Sequence, residues 1–199
     1  GAVVAVAMEQ ELAASHVHSG TAVEVEYTLT NEGNTGLTDV SVADATRVSG
    51  DTNEDNVLDL DETWVFSGTT TALAGNQTVA AAMTARDPLT DTTVGASASG
   101  TYFGAVVDWS MATLWNGEQG NPPDLIVGES FHVVYYLENM GNVDLADIEL
   151  QGAVPVLSGQ VVDGDLDADA QIDPGEMWKY EAFGTVALGD QHHDIHATA

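Results

Sequence analysis

One twelve-residue stretch, present twice, sets the strongest limit on what this chain can fold into. Asp51–Glu62 reads DTNEDNVLDLDE and Asp165–Glu176 reads DLDADAQIDPGE. Both fit D-x-[DN]-x-D-x-x-x-D-x-x-E, with oxygen-bearing side chains at positions 1, 3, 5, 9 and 12 and a backbone carbonyl at position 7. In the first copy these are Asp51, Asn53, Asp55, the carbonyl of Val57, Asp59 and Glu62. In the second they are Asp165, Asp167, Asp169, the carbonyl of Gln171, Asp173 and Glu176. Carboxylates at this density repel one another unless a cation lies among them. A hard divalent ion takes six to eight oxygens at about 2.3–2.6 Å, and alternate residues of a curled loop point inward together. The spacing is therefore that of a calcium loop, and two Ca2+ sites are expected. The plain alternative, a solvated acidic turn, is disfavoured by two matches at equivalent positions. Position 8 is apolar in both loops, Leu58 and Ile172, which suits a residue that pins the loop to a core. Position 6, usually glycine, is Asn56 in one loop and Ala170 in the other. Asparagine tolerates a left-handed backbone better than alanine, so the second loop is expected to bind more weakly or curl differently.

The residues after each loop decide the framework. A helix would continue an EF-hand, but Glu62 leads into Thr63-Trp64-Val65-Phe66-Ser67-Gly68 and Glu176 into Met177-Trp178-Lys179-Tyr180. These aromatic and β-branched runs read as strands. Calcium is expected to staple two strands together, not to move helices.

The loops belong to a longer repeat. Gly1-Ala2-Val3-Val4 recurs as Gly104-Ala105-Val106-Val107, and Gly20–Asn34 recurs as Gly128–Asn142. The tail Gly189–Ala199 matches Gly75–Ala85. The copies are set at 1–103 and 104–199. Within each, apolar residues alternate with polar ones: Val23, Val25, Tyr27 and Leu29 against Glu24, Glu26, Thr28 and Thr30. In the second copy Phe131, Val133, Tyr135 and Leu137 take one face, and His132, Val134, Tyr136 and Glu138 the other. Val134 and Tyr136 thus stand where copy one is polar, as residues packed against a neighbouring domain or subunit would. Asn-x-Gly-Asn turns come next, at Asn31–Asn34 and Asn139–Asn142. Helical periodicity is absent. Short strands with turn residues between them, in two copies of this length, predict an all-β chain of two tandem Ig-like β-sandwich domains, each with an acidic calcium-binding loop. Trp64, Phe66, Trp178 and Tyr180 are expected in the cores.

The strings TLTNEGNTGLTDVSV and SGDTNEDNVLDLDETW, with YLENMGNVDLADIEL and IDPGEMW in the second copy, resemble the tandem Ig-like conserved-repeat domains of bacterial and archaeal surface proteins. The likeness covers most of both copies. It implies long, secreted, repeat-built stalks or surface layers and no catalytic residues. Copy one continues past Ala85 to a last strand at Thr93–Phe103, whereas copy two stops at Ala199. Either the chain is part of a longer array of such repeats, or another molecule supplies that strand and the chains self-associate head to tail into a filament. The apolar run Gly1–Ala7 is a candidate donor, although it also aligns with the first strand of copy two.

Charge narrows the partners. Thirty-two acids face three Lys and Arg, a formal charge of −29. With only Arg47, Arg86 and Lys179 to neutralise phosphate, nucleic acid and anionic membrane are excluded as direct partners. Such a surface repels itself until salt screens it, which suits a saline or halophilic setting, or an acidic marine surface protein. There is no cysteine, so disulfides and thiolate metal sites are excluded. Ala2–Ala7 is too short to span a bilayer, so no membrane insertion is expected. No signal peptide is visible, and a processed or excised segment is expected. Calcium loops serve best outside cells, where the ion is abundant, and an extracellular, cell-surface location is expected.

Weaker signals point to ligands. His16 and His18, and His192, His193, Asp194 and His196, could hold Zn2+ or Cu2+, or be solvated. Asn76-Gln77-Thr78 is a glycosylation sequon on an expected turn. Trp109 and Trp115 flank an expected loop at Asn116–Pro123, where they could stack on a glycan or, more simply, bury against their domain. No nucleophile elbow, phosphate loop or zinc-protease motif occurs, and the chain is not expected to be an enzyme.

Overall fold

The computed structural model describes residues 1–119, 124–151, 161, 163–188 and 196–198, and no helix occurs among them. The chain divides into two compact units, Gly1–Ala105 and Val106–Ala199.

In the first unit the alternation of β3 (Ala22–Asn31) becomes a buried face of Val23, Val25, Tyr27 and Leu29 beneath exposed Glu24 and Glu26. β3 lies in a sheet of order β1-β3-β6-β5, with β1 Val6–Leu12, β5 Ala45–Ser49 and β6 Thr63–Thr71. The facing sheet has the order β2-β8-β7-β4, with β2 His16–His18, β4 Thr38–Val42, β7 Gly75–Asp87 and β8 Thr92–Ala105. These orders are those of an Ig-type sandwich, four strands against three, with β2 added parallel to the edge of β8. Between the sheets Tyr27, Leu29, Trp64 and Phe66 meet Val42, Ala81, Met83 and Ala85 in one core. Each large side chain taken from water there contributes about 1.5–3 kcal/mol.

β7 and β8 are longer than the short strands expected, since they pair without a break from Gly75↔Gly104 to Asp87↔Thr92. β8 also carries the unit two residues past Phe103. The sequon at Asn76 lies inside β7 and not on a turn, with Asn76 paired to Phe103. His16 and His18 are exposed on β2.

The second unit repeats the plan. β9 (Trp109–Trp115), β10 (Glu118–Gln119), β11 (Ser130–Asn139) and β13 (Met177–Thr185) form a sheet of order β10-β9-β11-β13. β12 (Glu149–Gln151) pairs with β14 (His196–Thr198) through Leu150↔Ala197, the counterpart of Val42↔Met83 in the first unit. Among the described residues β14 pairs with β12 alone. Val133, Tyr135, Leu137, Trp178, Tyr180 and Ala182 make the core. Val134 is buried and Tyr136 half-buried on the opposite face. Trp115 packs near Phe131, 5.7 Å between rings, while Trp109 stays 38% exposed at the other end of β9. Six residues of strand hold them about 20 Å apart, which removes the joint stacking platform. Of the second histidine cluster, His192, His193 and Asp194 lie outside the described residues, as do Gly120–Pro123 of the loop after β10.

Replacing Leu29, which is fully buried between the sheets, by alanine should cost about 2–5 kcal/mol. A urea titration should show a lower midpoint with an unchanged slope.

Candidate metal centres

Each acidic loop is fastened to its sandwich before any ion is considered. Gly50 and Gly164, just ahead of position 1, both have φ 113. A Cβ there would stand 2.2 Å from the carbonyl oxygen of Thr63 or of Met177, so only glycine lets the loop start against the strand beyond it. At position 8, Leu58 exchanges backbone hydrogen bonds with Leu37 (3.2 and 2.8 Å), and Ile172 does so with Leu145 (3.1 and 2.9 Å). All four side chains are buried.

A buried asparagine ties this bridge to the preceding turn. Asn31 Nδ2 donates to the carbonyls of Thr35 (2.8 Å) and Leu58 (2.9 Å), and its Oδ1 accepts from Gly33 N (2.9 Å). Asn139 repeats this with Val143 (2.8 Å), Ile172 (2.7 Å) and Gly141 (2.9 Å). Three amide positions are thus satisfied in a place where an unpaired polar group would be costly.

The curl of the two loops is the same. Positions 4 and 6 are left-handed in both, Glu54 and Asn56 at φ 62, Ala168 at φ 63 and Ala170 at φ 65. The expectation that Ala170 would change the curl is therefore corrected. Alanine accepts the strain, about 1–2 kcal/mol per residue, because inward-facing amides are held by carboxylates. Asn56 N donates to Asp51 Oδ2 (3.1 Å), Val57 N to Asp55 Oδ1 (2.8 Å) and Asp55 N to Asn53 Oδ1 (3.1 Å). In the second loop Ala170 N donates to Asp165 Oδ2 (3.3 Å), Gln171 N to Asp169 Oδ1 (2.8 Å) and Asp169 N to Asp167 Oδ1 (3.3 Å).

Position 12 closes each loop. Glu62 Oε1 accepts from Thr52 N (2.7 Å) and Thr52 Oγ1 (2.8 Å), and Oε2 from Trp64 Nε1 (2.9 Å) and Asp59 N (3.4 Å). Only 4% of Glu62 is exposed. The two bonds from Thr52, then those from Trp64 and Asp59, outweigh burial and hold its carboxyl down to about 2, from an ordinary 4.5. Glu176 is built alike, with donors Leu166 N (3.1 Å), Asp173 N (3.2 Å) and Trp178 Nε1 (3.2 Å). Four donors fill the four lone-pair sites of Glu62, so it would exchange at least one of them to ligate an ion. The two tryptophans do more than fill the core, since each locks a glutamate.

The acids converge. Oxygens of Asp165, Asp167 and Asp169 lie within 4.8 Å of one another, as do those of Asp167, Asp173 and Glu176. Burial first, then the carboxylates of Asp144, Asp167, Asp169 and Glu176, push the Asp173 carboxyl up. In the first loop Asn53 Nδ2 stands between Asp55 Oδ2 (3.0 Å) and Asp59 Oδ2 (3.3 Å). At position 1 of both loops one carboxylate oxygen is buried with no hydrogen-bond partner, Asp51 Oδ1 and Asp165 Oδ1. The Asp51 side chain is only 8% exposed. Two orphaned oxygens at equivalent places, in a donor set made wholly of hard oxygens, fit a calcium ion and not a soft metal.

Sequence reasoning missed Arg47. Its Nη2 lies 3.0 Å from Asp51 Oδ2 and donates to Asn56 Oδ1 (2.9 Å), and its guanidinium stacks 4.1 Å over the Trp64 ring. Its being one of three basic residues in the chain, four positions before Asp51, was the available signal.

No family model and no curated protein matches the chain. Among solved structures, a protein of unknown function from Porphyromonas gingivalis is 12% identical over 92% of this chain and 83% of its own, with a TM-score of 0.31. The C-terminal domain of the Streptococcus agalactiae AgI/II polypeptide BspA is 9% identical over 96% of each chain, with a TM-score of 0.35. At these scores the likeness carries no argument about function.

Because Glu62 has a lowered carboxyl in the folded state, its contribution is complete above about pH 4.5 and is lost as pH falls toward about 2. Trp64→Phe removes one of the bonds responsible. In chelator, the acid-unfolding midpoint of this variant should lie above that of the parent, as monitored by near-ultraviolet circular dichroism. Asn139→Ala, which removes the side-chain bonds to the Val143 and Ile172 carbonyls and to Gly141 N, should cost about 1–3 kcal/mol by urea titration.

Proposed function

We propose that each loop holds one Ca2+ and that the chain is a non-catalytic structural module of the cell exterior, part of a stalk, sheath or filament. The observation that supports this reading best is the pair of buried, unpartnered oxygens on Asp51 and Asp165. The residues that would hold the ion are Asp51, Asn53, Asp55, Val57, Asp59 and Glu62 in one loop, and Asp165, Asp167, Asp169, Gln171, Asp173 and Glu176 in the other. Bound there, calcium supplies positive charge and nothing else. The residues themselves form the staple: position 1 comes just after the glycine packed on the next strand, position 8 is bridged to the core, and position 12 is locked by a tryptophan. An ion among them ties the loop to both flanking strands and stiffens the module against extension.

An extracellular place agrees with millimolar calcium and with a surface at −29. No helix among the described residues is long and apolar enough to cross a membrane. Self-association, or continuation into neighbouring repeats, is supported by β14, which among the described residues pairs with β12 alone where β7 of the first unit also pairs with β8. A strand from a second copy or a further repeat fits that edge. Negative-stain electron microscopy at fixed high salt separates these outcomes. Filaments that fall apart in chelator support polymerisation, and monodisperse particles with and without calcium contradict it.

Free calcium a hundredfold above Kd stabilises a site by about 2.7 kcal/mol, or roughly 10–20 °C in the melting temperature of a unit this size. Scanning calorimetry should show that gain over chelator, and Asp165→Asn should abolish it in one transition while leaving the chelator-state transition nearly unmoved. Equal melting in calcium and chelator would refute the staple.

A further inference from the structure

The two loops share a backbone but differ in the charges placed around it. In the first, donors from the protein stand among the acids. Arg47 Nη2 reaches both Asp51 Oδ2 and Asn56 Oδ1, and the amide of Asn53 bridges Asp55 and Asp59. In the second, the residue equivalent to Arg47 is Val161, which packs against the core, and the residue equivalent to Asn53 is Asp167. A third exchange adds to these. Gly36, whose Cβ would stand 3.0 Å from Asp59 Oδ1, is replaced in the second unit by Asp144. Lys179, the one lysine, is held by Glu181 at 2.5 Å and leaves the second loop unneutralised.

Coulomb's law gives the consequence. Asp51, Asp55, Asp59 and Glu62 face one guanidinium and one amide, whereas Asp165, Asp167, Asp169, Asp173 and Glu176 face no cation of the chain among the described residues. Like charges a few ångströms apart repel one another more strongly the less water lies between them. In the second loop, among the described residues, that repulsion is opposed only by hydrogen bonds from the loop itself and from Trp178.

We infer that the two loops are unequal in their need for the cation. Arg47 acts as a resident counter-ion that keeps the first loop folded without calcium, and the second loop is the calcium-dependent element. This rests on the proposal that both loops bind calcium. Arg47 is a positioning residue: it touches Asp51 through Oδ2 and leaves Oδ1 to the ion. The first unit would then stay intact as calcium falls, while the loop of the second unit loosens.

Amide exchange by NMR on the full chain tests this. Asn56 and Val57 report on the first loop, and Ala170 and Gln171 on the second, because each donates to a loop carboxylate. Moving from free calcium a hundredfold above Kd to chelator should lower protection of Ala170 and Gln171 by about a hundredfold. Protection of Asn56 and Val57 should fall by a similar factor, since that loop binds an ion too, but in chelator should stay at least about tenfold above that of Ala170 and Gln171, since the chain's own charges still hold the first loop. Arg47→Met, which keeps an apolar stem over Trp64, should expose Asn56 and Val57 in chelator but not in calcium. Arg47→Lys should restore most of that protection. A merely structural role for Arg47 would lower protection in both conditions and overturn the inference. Equal protection of the two loops in chelator would overturn it while leaving the calcium reading intact. No response to calcium in either loop would end both.

Discussion

A carboxylate can be buried only if donors or a cation answer its charge. Each unit of this chain brings five or six acids onto one twelve-residue turn, four or five of them at the ligand positions, and then closes that turn against a sandwich. Most of their oxygens find donors within the loop, from amides made to point inward by left-handed residues at positions 4 and 6. One buried oxygen in each loop, on the aspartate at position 1, finds none. That residue of unmet charge is what the rest of the site is arranged around, and it makes sense of an acidic loop at the junction of two strands.

The sandwich makes the loop possible by holding its two ends in register. A glycine with no room for a Cβ sets the start, an apolar residue bridged to β-sheet backbone sets the middle, and a tryptophan indole holds the closing glutamate. The asparagine of the preceding turn reaches the carbonyl of position 8 in both units, so turn, loop and strand are hydrogen-bonded into one block. An ion held by such a block, as proposed above, would add stability without rearranging the fold, as expected of a structural element and not of a switch between two helix packings.

Much of this was legible in the sequence because it depends on periodicity. Alternation of Val23, Val25, Tyr27 and Leu29 with glutamates is a local pattern, and it survives as the buried face of β3. The repeat likewise appears as the same register, Val42↔Met83 and Leu150↔Ala197. The rest is carried by contacts between residues far apart in the chain. Nothing in Asn31 or Asn139 distinguishes a turn residue from a clamp on a carbonyl 27 or 33 positions away. Arg47 reads as one more surface charge until its strand sets it over Trp64 and beside Asp51. Ala170 misleads because propensity argues against a left-handed alanine, whereas the hydrogen bond from its amide to Asp165 holds it there. The sequon at Asn76 looked like a turn by composition, but pairing with β8 draws it into a strand.

The most direct measurement of the central claim is calcium stoichiometry by equilibrium dialysis of the intact chain at millimolar free calcium. The account predicts two ions per chain, falling to one in Asp51→Asn and to one in Asp165→Asn, with none left in the double variant. A chain that carries no calcium, or that keeps the same number of ions when both aspartates are replaced, would contradict it.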